Sequence, residues 1–186
     1  DDLDSVEGDF IIELSLSGKA TNIIRNGNIN IQNGKLHTLL FTDPIESING
    51  GAVMVNNQLI ISNLDFLLFN TSGSSTKPPD KNTFVEGALD FSKFFDPVYD
   101  IKIKSVNASY KLLFLDIYGE SDLDLTISGR DTVLIAGKIE TQKANVFYEF
   151  NTEDVGTLIQ QDNENIFAYN LNIPIRGEAY FNNSLI

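Results

Sequence analysis

The sequence predicts an all-β protein: one long antiparallel sheet assembled from similar hairpins. Three observations carry this expectation. Apolar and polar residues alternate with period two through most of the chain. Turn-forming residues recur about every eight to twelve positions, which divides the chain into roughly ten to thirteen strands. No amphipathic helix of ordinary length can be assembled from any segment. Of 186 residues, 42% are hydrophobic and 21% charged, as expected of a chain that folds.

The clearest element spans residues 121–141. Leu123, Leu125 and Ile127 point to one face, and Asp122, Asp124 and Thr126 to the other. Ser128-Gly129-Arg130-Asp131 reads as a turn, because Gly supplies backbone angles that other residues avoid and Asp bonds locally to backbone. Val133, Ile135 and Ile139 return along the apolar face, with Gly137 interrupting the strand.

The remaining elements follow in chain order. Residues 1–8 are acidic and read as a loose lead-in to a single domain over 9–186. Phe10, Ile12, Leu14 and Leu16 alternate in the first strand, which Ser17-Gly18 closes. Ile29 and Ile31 sit among amides, and Asn33-Gly34 after them is the strongest short hairpin signal in the chain. A returning strand is expected over 36–41, with Pro44 breaking it. A short strand over 52–55 turns at Asn56-Asn57 into Leu59, Ile61 and the apolar run 64–69. Residues 71–81, with two prolines among small polar residues, read as a loop excursion. Leu89 then belongs to a strand over 84–91, a corner or single helical turn occupies 92–96, and Ile101 and Ile103 alternate with Lys102 and Lys104. The nearly continuous apolar run 111–118 is expected to be buried on both sides or to lie at a seam. Another strand is expected over 143–150. The acidic, amide-rich stretch 151–165 reads as a second excursion, and two late strands surround Gly177.

Charge and residue inventory exclude several functions. Lys+Arg number 13 against 26 Asp+Glu, a net charge of -13, and a nucleic-acid binder needs clustered cations instead. With no cysteine, thiol nucleophiles, thiolate metal sites and disulfides are ruled out. His37 is the single histidine and reads as an ordinary strand residue. Asp122, Asp124 and Asp131 offer oxygen ligands of the kind calcium accepts, but alternation on a wet strand face explains them more simply. No G-x-S-x-G elbow or P-loop is present. The expectation is therefore no enzyme, no cofactor and no metal. No apolar run is long enough for a membrane-spanning helix. The start without Met and the apolar end suggest a piece of a longer or processed chain.

A sheet with one apolar face must bury that face. A second sheet, closure into a barrel, or an open trough holding an apolar ligand would each do so. Periodicity alone favours the second sheet.

The wording of three stretches adds to this: SINGGAVMVNNQLIISNLDF, VEGALDFSKFFDPVYDIKIKSVNASYKLL and GESDLDLTISGRDTVLIAGKIETQKANVFYEF. Gly87 before a short strand, the run from Asp96 to Ile103, the hairpin from Leu123 to Ile139 and the strand pair over 170–183 carry the likeness. Together they resemble the C-terminal region of TamB proteins, in the AsmA-like superfamily of bridge-like envelope proteins. The resemblance implies an elongated, curled antiparallel sheet with an apolar interior, a β-taco or open β-trough. It also implies a periplasmic segment of an inner-membrane-anchored protein that reaches the outer membrane. Its partners would be phospholipid and an Omp85-type outer-membrane barrel (TamA- or BamA-like). Its roles would be lipid transport and outer-membrane protein assembly and secretion. The groove residues expected on this basis are Ile29, Ile31, Leu59, Ile61, Leu89, Ile101, Ile103, Leu123, Leu125, Ile127, Val133, Ile135 and Ile139. The competing readings are a surface β-module that binds protein or glycan, and a lipopolysaccharide-transport bridge on a related trough.

Overall fold

A computed structural model describes residues 3–19, 21–38, 41–69, 80–112, 117–147 and 166–182. The strands are β1 (Leu3–Lys19), β2 (Asn22–Thr38), β3 (Ile45–Val55), β4 (Gln58–Leu67), β5 (Thr83–Asp90), β6 (Val98–Leu112), β7 (Ile117–Gly129), β8 (Thr132–Phe147), β9 (Ile166–Asn172) and β10 (Ile175–Asn182). All ten belong to one sheet. β1 to β8 lie side by side in chain order, each antiparallel to the next. β9 and β10 both pair with β8 in parallel, β9 along its first half and β10 along its second. The all-β, mostly antiparallel expectation holds. The sheet is open at both edges and is neither closed nor strongly curled.

Turn chemistry accounts for three of the connections. Asn56 and Asn57 both have positive φ, 48° and 73°, the paired left-handed geometry of a two-residue type I′ turn. Arg130 and Asp131 connect β7 to β8 as expected. At residues 92–96 the chain makes a corner: the Ser92 N–H donates to Asp90 Oδ1 at 2.8 Å, and the Asp96 N–H to the Lys93 carbonyl at 3.1 Å.

Several expectations are corrected. Asn33-Gly34 is not a hairpin turn but a bulge inside β2, which is paired on both sides of it. Only Asn33 is left-handed (φ 51°), and its N–H donates to Asn49 Oδ1 at 3.0 Å. One left-handed residue kinks a strand, whereas a type I′ turn needs two. The lead-in over 1–8 is strand from Leu3 onward, because a bulge at Gly8 (φ 122°) resets the register and leaves Glu7 opposite Lys35. Of the run 111–118, expected to be buried on both sides or to lie at a seam, the described residues close β6 and open β7, with Leu112 opposite Ile117; Tyr118 is buried and Lys111 half-buried. Residues 143–147 continue β8 rather than form a new strand. The late strands run parallel, not antiparallel, to their neighbour and part at Pro174, which lacks an N–H but accepts the Thr141 N–H at 2.9 Å. The excursion over 151–165 lies outside the described residues, as does that over 71–81 apart from Asp80 and Lys81.

The buried centre sits at one end of the sheet. β5 is much shorter than β6, so the chain beyond β4 meets β6 directly: the Ser109 N–H donates to the Leu68 carbonyl at 3.1 Å. Further out, the Thr42 N–H reaches the Lys111 carbonyl at 2.9 Å. Leu68, Ala108 and Tyr118 are buried there together with Asn82, Thr83, Ser105, Ser109 and Ser121. Buried polar groups require partners, and these have them. Thr83 and Ser105 share a hydroxyl hydrogen bond of 2.9 Å, and Ser121 donates to Thr141 at 3.4 Å.

Candidate functional site

Register turns the period-two pattern into rows across the sheet. One continuous row runs Ile12, Ile29, Ala52, Ile61, Gly87, Ile101, Ile127, Ile135, Tyr169. On one flank, Leu14, Gly27, Met54, Leu59, Leu89, Tyr99, Gly129 and Val133 follow one another from β1 to β8. On the other flank the row is Phe10, Ile31, Gly50, Leu64, Val85, Ile103, Leu125, Gly137 and Leu171. Leu123 and Ile139 form a further pair beyond it. The expected groove residues thus share one face, from β2 to β8. Val133 is 4% exposed; the others are half-buried, packed sideways against their row neighbours. Among the described residues no second layer covers this face.

The same rows contain residues the sequence reading left out of the groove: Phe10, Ile12 and Leu14 in β1, Met54 in β3, and Leu64, Val85 and Tyr99. The β1 alternation was legible, but nothing local tied its phase to strands far along the chain. Only the bulges fix that phase.

The opposite face is mixed: Ile11, Val53, Ile60 and Phe84 are exposed on it, among charged and amide side chains. Glu86 stands opposite Lys102, and Asp124 lies between Lys104 and Lys138, so unlike charges oppose each other across the strands. A pocket of about 340 Å³ on this face is lined by Ser62, Asn63, Phe84, Glu86, Lys102 and Lys104 among others. A shallower depression lies over Glu13, Asn28, Asn30 and Asn63.

At the rim opposite the buried centre, Asn57 ties three elements together. Its N–H donates to the Arg25 carbonyl at 3.1 Å, its side chain accepts the Arg25 N–H at 2.9 Å, and its carbonyl accepts the Phe91 N–H at 2.8 Å. The Arg25 guanidinium lies 5.0 Å from the Phe94 ring centroid, within cation–π range. Phe95 beside it is 95% exposed.

Ionisable groups serve the fold. The Lys138 ammonium bonded to Glu140, with the Arg176 guanidinium nearby, holds the Glu140 carboxyl below the usual carboxylate range. Arg176 on β10 approaches the same carboxylate at 2.7 Å. Burial, with a hydrogen bond to Glu120, pushes the Tyr118 phenol up to about 12. His37 lies 3.8 Å from the Glu7 carboxylate. Asp122 accepts the Asn107 N–H at 2.7 Å, so it is occupied by a backbone bulge. Among the described residues no group of three or more His, Asp or Glu is placed to hold a metal ion, and no helix is long and apolar enough to cross a membrane.

No family model matches the chain, and no match is found among curated proteins or solved structures.

Proposed function

We propose that the apolar face shields lipid acyl chains, and that the chain is a lipid-carrying segment of a TamB- or AsmA-like envelope bridge. The observation that carries this reading is the continuity of the three apolar rows across β1 to β8, with no covering layer among the described residues. Soluble proteins rarely leave so large an apolar area bare unless something binds it. In this reading the face is one wall of a shallow trough. Strands spaced about 4.8 Å apart, nine abreast because β9 and β10 share the place beside β8, make it roughly 40 Å long, against about 15 Å for an acyl chain, half of a bilayer core. Each buried methylene contributes about 0.8 kcal/mol. Rows of Ile and Leu keep that sum nearly constant as a tail shifts from one strand to the next, so movement meets no large barrier. The setting would be the periplasm, and the partner an Omp85-type barrel.

The test is native mass spectrometry of the purified chain, with lipid identification. Co-purifying phospholipid that is lost in Leu125→Glu and Ile135→Glu variants whose β-sheet circular dichroism is unchanged supports the reading. Recovery of lipopolysaccharide instead would assign a different cargo. No lipid, combined with global unfolding of both variants, would show the face to be a sealed core and end the proposal.

A further inference from the structure

The two edges of the sheet are built differently. The far edge consists of two short strands, β9 and β10, separated at Pro174, and short interrupted edges resist added strands. The near edge is β1. From residue 9 to residue 19 its pairing with β2 runs without a bulge, and this stretch contains no proline. Among the described residues its outer side carries no strand, so its outward N–H and C=O groups have no ladder partner there. Ile11, Ile12, Leu14 and Leu16 are 58%, 65%, 59% and 61% exposed. A long, regular, apolar edge of this kind is a template for another strand.

We propose that β1 pairs antiparallel with β1 of a second copy, about a two-fold axis through Leu14. The choice of register follows from charge. To keep the apolar faces on one side, the axis must pass through a residue rather than between two. Centring on Ile11 would set Asp9 against Glu13 twice, and centring on Glu13 would oppose Glu13 to itself; like charges directly opposed are destabilising. Centring on Ile12 or Ser15 gives no ion pair, and centring on Leu16 sets Glu13 against Lys19 but pairs only residues 13–19 instead of 9–19. Centring on Leu14 sets Asp9 of each copy against Lys19 of the other, Glu13 against Ser15, Ile12 against Leu16 and Leu14 against itself. Both apolar faces then lie on the same side of one continuous sheet. This association does not depend on what the apolar face binds.

The absence of cysteine in these 186 residues allows a direct test. Residues directly opposite in an antiparallel pair have Cα atoms about 4.5–5.5 Å apart, within disulfide reach. Leu14→Cys is expected to give a covalent dimer under mild oxidation. Ile12→Cys, four positions out of register with its mate and roughly 13 Å from it, is expected not to. By analytical ultracentrifugation at physiological salt, Lys19→Asp weakens the dimer about tenfold, since two ion pairs become like-charge contacts. Adding Asp9→Lys to it restores the affinity. A chain that stays monomeric at high micromolar concentration overturns the proposal. So does cross-linking at position 12 but not 14, or a double variant as weak as the single one.

Discussion

Gly137 faces Leu125 across the β7–β8 ladder with φ +134°, and a Cβ built there would lie 2.1 Å from the Asp124 carbonyl oxygen. Only glycine tolerates both conditions, so Gly137→Ala should cost about 1–3 kcal/mol, read as a lowered urea midpoint. Gly87 repeats the geometry against the Asp100 carbonyl. Asn82 is 3% exposed. It accepts the Leu68 N–H at 2.9 Å and donates to the Leu68 and Asn107 carbonyls at 3.0 and 3.2 Å. Asn82→Ala strands those backbone groups and should destabilise by about 1–3 kcal/mol, whereas the exposed Asn28→Ala should change stability little; parallel urea melts compare the two. The glycine interruption was visible in the sequence. The role of Asn82 was not, because its partners lie 14 and 25 residues away and no local pattern brings them together.

Among the elements, paired and single asparagines separate what the sequence disclosed from what it concealed. Asn56-Asn57 lies between two apolar runs whose phases agree, and it forms the expected turn. Asn33-Gly34 has the stronger dipeptide signal, yet β1 and β3 hold β2 straight through it; ladder pairing on both sides outweighs local turn preference. The parallel attachment of β9 and β10 had no sequence signal, since alternation does not encode strand direction. One element contact is pH-dependent. Glu140, bonded to Lys138 on its own strand and to Arg176 on β10, has a depressed carboxyl pKa in the folded chain. Its stabilisation is therefore complete above the ordinary Glu pKa and is lost as pH falls through the depressed folded value. Hydrogen exchange in β10 should rise relative to β6 on acidification through that range. Glu140→Gln should flatten the difference; an unchanged profile would show the clasp to be idle.

For the whole molecule, the expected groove residues fell on one face because period two is preserved wherever ladders are regular, and the bulges restore phase where they are not. Whether that face would be covered was not legible, since alternation is the same in a sandwich, a barrel and an open sheet.

The order of strands also sets the order of assembly. β1 to β8 join neighbours in sequence, so most closures are short and each adds to an existing edge at small entropic cost. β9 instead pairs with the start of β8, Thr132 opposite Ile166, after the chain has already left that strand's far end. Non-local pairing of this kind is slow. Refolding should show two phases: a fast one that builds the meander, and a slower one in which β9 and β10 dock. Pulsed hydrogen exchange should protect amides of β5 to β7 first and those of β9 and β10 last. A single phase protecting all strands together would mean that the parallel strands are part of the nucleus, not its final addition.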